Sequence, residues 1–363
     1  MKNNKTIFFA LCTALILLIT HSQQTQCQSK AYDNAFFDNT TWSRDELFNT
    51  RFIAQEGKVR DRMHSEGFQD VSISTEDGVN LCGLWKRASN PQYTIIFTGG
   101  FYPGKKESMT PLYKHVSDNA NVLFFDARGH GQSDGTLRFL QQWKYGVSDY
   151  KDIIATIEFA QQNTPTNTPI ILLGICAGAF HTSRALLHLG EQGCKKYNVV
   201  GAVLDSSWGS FRHVAKTGIP AFLGKWIKNR VIRLPFRAMA WCFYYAIARP
   251  IISINAYQTR LFGKMHNIKI PLFFIHSNDD NWATLNNAIR LAKETPRATT
   301  WWIEESRHAL HHLKHKYEYR KRLTSFVDGC LQCYYDPIDN LSVSDHNQSQ
   351  QIDLQAPNLD IIR

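Results

Sequence analysis

The stretch that decides the fold reads IILLGICAGA, from Ile170 to Ala179. Its first part is an apolar run of strand length, rich in Ile and Leu, which predicts a buried central strand. Gly174 and Gly178 flank Cys176 and permit a turn too tight for most side chains, and a helix-forming segment follows. Because cysteine is commonly buried, Cys176 could be a structural residue beside this turn or a reactive group at its apex.

Strand and helix patterns alternate on both sides of this stretch. Two segments of alternating apolar residues, 68–75 and 79–86, flank the turn signal Asp77-Gly78 and predict an antiparallel hairpin. Further strands are predicted at 93–98, 121–126, 199–204, 271–276 and 299–303, and helices at 43–65, 108–119, 143–162, 284–294 and 309–330. This alternation predicts an α/β fold, with a mostly parallel sheet covered by helices on both faces and the hairpin at one edge.

The first residues have the composition of a targeting segment. Lys2 and Lys5 precede an apolar stretch at 6–20, which predicts a cleaved signal peptide over 1–22, with an uncleaved membrane anchor as the alternative. Either one implies an exported or membrane-anchored protein whose main domain lies outside the cytosol. The other predicted divisions are a linker and N-terminal helix at 23–67, a main domain at 68–335 with an insertion at about 207–268, and a disordered polar tail at 336–363.

Cysteine usage is consistent with a free thiol in the main domain. The chain contains eight cysteines, of which Cys12 lies within the predicted signal peptide. The remaining number is odd, so an exported protein would keep at least one free thiol or form an intermolecular bond. Cys176 is the candidate for the free thiol.

Five motifs follow one another in a fixed order along the chain. They are Gly99-Gly100-Phe101 after a strand, D-x-R-G-x-G-x-S at 126–133, G-x-C-x-G at 174–178, H-x-x-x-D at 276–280, and His308 after the last strand. This order resembles that of the α/β-hydrolase family, in particular its lysophospholipase-like and serine-aminopeptidase-like branch, over roughly residues 68–330. In that family the motif G-x-S-x-G forms a nucleophile elbow, and here cysteine stands in place of the serine.

The resemblance implies a catalytic triad. Carried over to this chain, Cys176 matches the nucleophile, Asp280 the triad acid and His308 the base, in the chain order expected of this fold. Asp279 is adjacent to Asp280, and Asp205 ends the preceding strand, where some lipases of this fold place their acid, so both are rivals. An elbow would set Cys176 at a helix N-terminus, where the helix dipole favours a thiolate.

The resemblance also implies an oxyanion hole. Its donors would be the backbone N–H of Ala177 and that of Phe101, with Gly100 as the alternative to Phe101. The segment containing Asp126 and Arg128 is interpreted as structural. Dienelactone hydrolases and bile-acid-conjugating acyltransferases are similar here, because they also combine Cys with Asp and His.

The predicted function is hydrolysis of an ester or thioester bond by nucleophilic acyl transfer, with a small-molecule or lipid acyl substrate. A thiolate leaves a tetrahedral intermediate more readily than most alkoxides or amines, which favours thioesters and activated esters over amides. The alternatives are a non-catalytic scaffold that binds a lipid or protein partner and a serine-aminopeptidase-like peptidase. No cofactor is implied, and no metal is expected, although His308, His311, His312 and His315 would lie on one face if they formed a helix.

The insertion is strongly basic. Between Asp205 and Asp279 there is no acidic residue, whereas eleven Lys or Arg residues lie there, against a net charge of +10 for the whole chain. Aromatic residues are interleaved with these charges, and the apolar segment 238–248 is too short to span a bilayer. The resembling family carries a cap over the active site at this position, so a helical cap is expected here, and its basic residues beside an apolar aromatic segment suggest an interfacial surface for anionic lipid. An anionic substrate group and an ordinary cap over the acyl pocket are the alternatives; no motif supports nucleic-acid binding.

Overall fold

A single eight-stranded sheet forms the centre of the protein in the computed structural model, which describes residues 56–100, 106–135, 146–214, 256–280 and 282–336. The strands are β1 (Gln69–Ser74), β2 (Asn80–Lys86), β3 (Tyr93–Thr98), β4 (Ala120–Phe125), β5 (Ile170–Ile175), β6 (Val199–Asp205), β7 (Leu272–Ser277) and β8 (Ala298–Ile303). Their order in the sheet is β1-β2-β4-β3-β5-β6-β7-β8. Strands β3 to β8 are parallel, whereas β2 pairs antiparallel with β1 and β4. The predicted parallel sheet with an antiparallel hairpin at one edge is therefore confirmed.

Helices cover both faces of this sheet. They are α1 (Glu56–Ser65), a 3₁₀ helix (Lys106–His115), α2 (Tyr150–Gln162), α3 (Ala177–Lys196), a short 3₁₀ turn (Met265–Asn267), α4 (Leu285–Glu294), α5 (His311–Lys314) and α6 (Lys316–Tyr335). Helices α2, α3 and α4 contribute to the apolar core on one face, and α1, the first 3₁₀ helix and α6 contribute to the core on the other.

The central strand β5 shows why the apolar run predicted a buried position. Successive side chains of a strand point to opposite faces. Ile170 and Leu172 accordingly join one core, and Ile171 and Leu173 join the other. All four side chains are fully buried. A strand with helices on both sides needs apolar residues at every position, which explains the continuous run.

The C-terminal helix differs from its prediction. One helix was expected over 309–330, but the structure has α5 and α6, separated at His315, and α6 extends to Tyr335. Ala309 has φ of +60°, a left-handed conformation that does not fit a right-handed helix. The prediction of one continuous helix was therefore wrong at its start.

Two other helices also deviate from the pattern. Helix α2 begins at Tyr150, whereas the apolar spacing predicted a start at 143. Gly146 has φ of +83°, and its N–H donates to the Asp149 carboxylate at 2.7 Å, so the chain turns before the helix begins. The helix expected at 108–119 is a 3₁₀ helix over Lys106–His115 that contains Pro111, which lacks a backbone N–H.

Several predicted segments lie outside the described residues. They are the signal segment at 1–22, the linker and predicted helix start before residue 56, most of the insertion at 215–255, and the tail from 337. Their assignments, and the domain boundaries drawn from them, stay predictions. In the described part of the chain, none of the helices has the length and apolar character that crossing a bilayer requires.

Candidate active site

Cys176 occupies a sharp turn between β5 and α3. Its backbone has φ of 58° and ψ of −116°, a conformation that costs energy for any residue with a Cβ atom and is often found at functional sites. The backbone N–H of Cys176 donates to the carbonyl oxygen of Asp205 at 2.8 Å. The thiol is half-buried and forms no disulfide. Since the next residue begins α3, the side chain stands at a helix N-terminus, as the elbow motif implied.

The two glycines of the motif are dictated by contacts with the backbone. A Cβ atom on Gly174 would lie 2.6 Å from the nitrogen of Ala179, and one on Gly178 would lie 2.1 Å from the carbonyl oxygen of Thr98. Neither backbone can move without displacing α3 from the sheet. The glycines therefore permit α3 to begin directly against the ends of β5 and β3.

The loop after β3 lies against the thiol. A Cβ atom on Gly100 would be 3.1 Å from the Cβ and 3.4 Å from the Sγ of Cys176. Phe101, the predicted oxyanion donor in this loop, lies outside the described residues. Ala177, the other predicted donor, is the first residue of α3, where backbone N–H groups have no partner within the helix. Both assignments remain predictions.

His308 connects the thiol to a carboxylate. Its Nδ1 lies 2.6 Å from Oδ2 of Asp280, and its side chain is close enough to Cys176 for the two groups to interact. Burial lowers the pKa of His308, but the charges of Asp280 and Cys176, together with hydrogen bonds to both, raise it well above its usual value. The structure thus brings together the three residues predicted as the triad.

Asp280 is held by four groups. Its Oδ1 accepts the backbone N–H of Trp282 at 2.8 Å and of Ala283 at 2.9 Å, while Oδ2 faces His308 and also lies 3.2 Å from Nε2 of His276. Burial raises the pKa of Asp280, but the charge of His308 and the hydrogen bond from His276 lower it well below its ordinary value. Asp280 is therefore ionised, as the orientation of a catalytic histidine requires.

His276 was not assigned a role from the sequence. It is fully buried on β7, and its Nε2 also lies 2.7 Å from the carbonyl oxygen of Ala283. This ring therefore connects Asp280 to the turn that carries its backbone donors. The signal was present in the H-x-x-x-D spacing, because a histidine near the end of a strand is close to an acid in the loop that follows.

The two rival acids have other surroundings. Asp279 is exposed. Asp205 is fully buried, and its carboxylate accepts hydrogen bonds from the hydroxyls of Ser206 at 2.9 Å and Tyr319 at 3.2 Å. Burial raises the pKa of Asp205 to about 7, although those hydrogen bonds oppose the shift. The geometry favours Asp280 as the partner of His308.

The segment at 126–133 is a structural support. Asp126 forms an ion pair with Lys106 at 2.8 Å, with both side chains fully buried, and its Oδ2 also accepts the N–H of Gln132. Gly131 lies so close that a Cβ atom there would be 2.1 Å from this oxygen. Arg128 forms ion pairs with Asp152 at 2.7 Å and with Asp77 at 2.8 Å. These contacts fix the loop after β4 without involving the candidate triad.

The helical spacing of four histidines does not correspond to one helix face. His308 lies in the loop before Ala309, His311 and His312 lie on α5, and His315 lies at the break before α6. In the described ranges, no group of three His, Cys, Asp or Glu side chains is arranged to hold a metal ion.

Comparisons with known proteins find one matching family model, a sequence relative and solved structures of similar fold. The family model described as Serine aminopeptidase, S33, matches residues 112–242. An uncharacterized protein of Bacillus subtilis, YqkD, is 24% identical over 270 residues, which cover 71% of this chain and 78% of the relative. The Pyrococcus furiosus esterase Pf2001 superposes with a TM-score of 0.55 at 21% identity, covering 80% of this chain and 96% of the esterase. The proline iminopeptidase of Mycobacterium smegmatis has a TM-score of 0.52 at 12% identity, with coverage of 73% and 99%.

Proposed function

Since the chain has the α/β-hydrolase fold, as its resemblance to that family predicted, we propose that it is a hydrolase that cleaves ester or thioester bonds through Cys176, His308 and Asp280. One observation carries this proposal. His308 lies 2.6 Å from the Asp280 carboxylate and interacts with Cys176, which stands at the turn before a helix. This set of groups fits nucleophilic acyl transfer.

In the first step of the proposed reaction, His308 takes the proton of the Cys176 thiol. The thiolate attacks the carbonyl carbon of the substrate, a carbon–sulfur bond forms, and the carbonyl electron pair moves to the oxygen. The carboxylate of Asp280 holds the imidazole in one tautomer and stabilises its positive charge. The Ala177 N–H, at the positive end of the α3 dipole, is the proposed donor to the oxyanion.

In the second step the intermediate collapses and the bond to the leaving group breaks. His308 gives its proton to the departing alcohol or thiol, which leaves an acyl group on Cys176. A water molecule then transfers a proton to His308 and attacks this thioester, and the sulfur departs and regains the proton. The products are a carboxylic acid and the free enzyme, so the cycle uses only these side chains and water.

The sulfur nucleophile favours certain substrates. When a tetrahedral intermediate contains both the Cys176 sulfur and an amine or alkoxide, the sulfur is the better leaving group, and the reaction reverts to substrate. A thioester or an activated ester has a leaving group that competes with the sulfur. The proposed substrates are therefore acyl thioesters and activated esters.

Turnover of a small substrate panel tests this proposal. We expect the wild-type protein to hydrolyse nitrophenyl esters and acyl thioesters under reducing conditions, and Cys176→Ala to fall to background. Cys176→Ser is the matched variant, because it places a hydroxyl beside His308 in place of the thiol. It should resist iodoacetamide, which should inactivate the wild type. Turnover that survives in Cys176→Ala would contradict the role of the sulfur. Absence of turnover in the wild type would favour a non-catalytic scaffold that binds a lipid or protein partner.

Peptide hydrolysis is the second candidate, because the matched family model is that of serine aminopeptidases. The same panel separates it from ester hydrolysis when aminoacyl nitroanilides are included. Faster turnover of these amides than of acyl thioesters would favour the peptidase.

We also propose that the basic insertion binds anionic lipid. Most of it lies outside the described residues, but at its end Arg260 lies over the ring of Tyr257 at 4.4 Å, and this tyrosine is exposed. Binding should be stronger to vesicles that contain phosphatidylserine than to phosphatidylcholine alone, and it should fall as salt screens the charges. Equal sedimentation with both kinds of vesicle would contradict this proposal.

A further inference from the structure

Behind the candidate triad lies a set of buried polar residues that the proposed reaction does not use. We call it the buried polar chain, and its members are Asp205, Ser206, Ser306, His311 and Tyr319. Each side chain is almost completely shielded from solvent. Burying so many polar groups is unfavourable unless each has a hydrogen-bond partner.

The hydrogen bonds of the buried polar chain can be assigned a direction. The Ser206 hydroxyl donates to Oδ1 of Asp205 at 2.9 Å, and the Tyr319 hydroxyl donates to Oδ2 at 3.2 Å. Nε2 of His311 lies 3.1 Å from the Ser206 oxygen, whose single proton is already used, so Nε2 carries the proton. Nδ1 of His311 then accepts from the Ser306 hydroxyl at 2.8 Å.

This assignment requires a neutral His311. Burial lowers the pKa of His311 well below its usual value. A neutral ring has one donor and one acceptor, which matches the two serine hydroxyls on either side of it. His311 therefore connects the loop after β6 to the loop after β8.

Two backbone hydrogen bonds join this set to the candidate triad. The carbonyl oxygen of Asp205 accepts the N–H of Cys176 at 2.8 Å, and the Ser206 hydroxyl oxygen accepts the N–H of Ala309 at 2.9 Å. Ala309 directly follows His308. The nucleophile and the base are thus both connected to the consecutive residues Asp205 and Ser206.

The backbone at these points is strained. Cys176, Ser206 and Ala309 have φ of 58°, 57° and 60°, in the region that favours glycine. Such conformations persist only where the surrounding contacts hold them. The hydroxyl of Ser206 supplies one of those contacts to Ala309, and His311 holds that hydroxyl in place.

We propose that His311 is a positioning residue, which acts through Ser206 to set the distance between the sulfur of Cys176 and the imidazole of His308. The inference rests on the proposed function, because it treats these two groups as the reacting pair. It adds a third histidine to the site, one that touches neither the substrate nor the sulfur.

His312 offers a matched control. It is the next residue on α5 and is also buried, but its Nδ1 has no hydrogen-bond partner, and its ring packs against Tyr319 and His115. His311→Ala and His312→Ala therefore remove the same side chain from neighbouring buried positions. Only the first breaks the buried polar chain. Thermal unfolding of both variants measures what each loses in stability.

Two readouts separate positioning from packing. The first is hydrolysis of a nitrophenyl ester, where we expect His311→Ala to lower kcat about 100-fold with little change in KM, as misplacement of reacting groups does. The second is the rate of Cys176 alkylation by iodoacetamide against pH, followed on the Cys176 peptide by mass spectrometry. In His311→Ala the alkylation profile should move towards alkaline pH, because the sulfur of Cys176 would lie farther from the imidazole that takes its proton. His312→Ala should keep the profile of the wild type.

Conservative variants complete the test. His311→Gln keeps one neutral donor and one acceptor and should recover part of kcat, whereas a role in packing alone predicts no such rescue.

If His311→Ala does not fold, Ser306→Ala removes only the hydroxyl that binds Nδ1, and it should shift the alkylation profile in the same direction. If the alkylation profile of His311→Ala is identical to that of the wild type, the inference is overturned. If His311→Ala does not fold, the same result in Ser306→Ala overturns it. The alkylation profile can be measured even if no ester is turned over, so failure of this inference can be distinguished from failure of the proposed function.

Discussion

Asp280 and Asp205 have similar positions in the fold but opposite shifts in pKa. Each lies at or just after the end of a parallel strand, each is buried, and each has histidines nearby. Yet the pKa of Asp280 is held well below its ordinary value, whereas that of Asp205 is raised to about 7. Burial acts in the same direction on both carboxyl groups, so it cannot account for the difference.

The difference comes from the partners. Asp280 accepts two backbone N–H groups and faces His308, whose positive charge stabilises the carboxylate. Asp205 accepts two hydroxyls, and its neighbour His311 is neutral. The charge of His308 and the hydrogen bond from His276 offset the cost of burying the charge of Asp280, whereas the two hydroxyls do so only in part for Asp205. The first environment suits an acid that must stay ionised, and the second suits a structural junction.

The largest expected contrast is in activity. Asp280→Asn should lower kcat for a nitrophenyl ester by about 10⁴-fold, because an amide cannot hold the histidine tautomer that the reaction needs. Asp205→Asn keeps the backbone carbonyl that holds Cys176 and should cost no more than about 100-fold. Steady-state kinetics of both variants measure the contrast. A larger loss in Asp205→Asn would show that the two acids have been assigned the wrong roles.

The second contrast concerns stability between pH 4 and pH 7. Because the pKa of Asp205 is about 7 in the folded protein, against 3.8 ordinarily, the folded state binds a proton that the unfolded state releases in this window. Stability should therefore fall as the pH rises towards 7, by on the order of a few kcal/mol. Denaturant unfolding at several pH values should show a smaller fall in Asp205→Asn than in the wild type. Parallel curves for the two proteins would contradict the raised pKa.

Some of the residues and elements compared here could be predicted from the sequence, and others could not. The strands, the hairpin and the elbow could be predicted, because apolar runs, alternation and glycine spacing are local properties of the chain. The same holds for Asp280 and His308, which directly follow recognisable strands. Asp205 was considered only as a rival acid, and His311 only as a member of a spaced histidine set.

Contacts between distant parts of the chain explain what was missed. The left-handed backbone of Ala309, where the expected helix would begin, is held by a hydrogen bond to Ser206, more than a hundred residues earlier. The apolar spacing at 309–330 does not indicate that Ser206 will contact this segment. In the same way, the hydrogen bonds of His311 depend on the loop after β6 and the loop after β8 lying side by side.

A third contrast appears in acid. The lowered pKa of Asp280 means that its stabilising contribution is present at pH values above 3.8 and is lost as the pH falls further. Asp280→Asn should therefore be less stable than the wild type at pH 6, and the gap should narrow at pH 3. Unfolding curves at these two pH values provide the measurement, and an unchanged gap would argue against an ionised Asp280 in the folded protein.

The smallest expected effect comes from Tyr319→Phe. It removes the hydroxyl that donates to Asp205 at 3.2 Å and leaves the ring in place. Loss of a hydrogen bond to a charged group should cost about 1.5–3 kcal/mol at pH 8, where Asp205 is ionised, and less at pH 5. Leu323→Ala, one turn further along α6, is a suitable control, because loss of a buried apolar side chain should cost the same at both pH values.

The proposed function depends most on Cys176 as the group that receives the acyl chain. Nitrophenyl trimethylacetate tests this directly, because its crowded acyl group is hydrolysed slowly once it has been transferred. We expect a burst of nitrophenol close to one equivalent of protein, with the acyl mass on the Cys176 peptide and neither signal in Cys176→Ala. An acyl group on any other residue, or a burst that persists in Cys176→Ala, would contradict it.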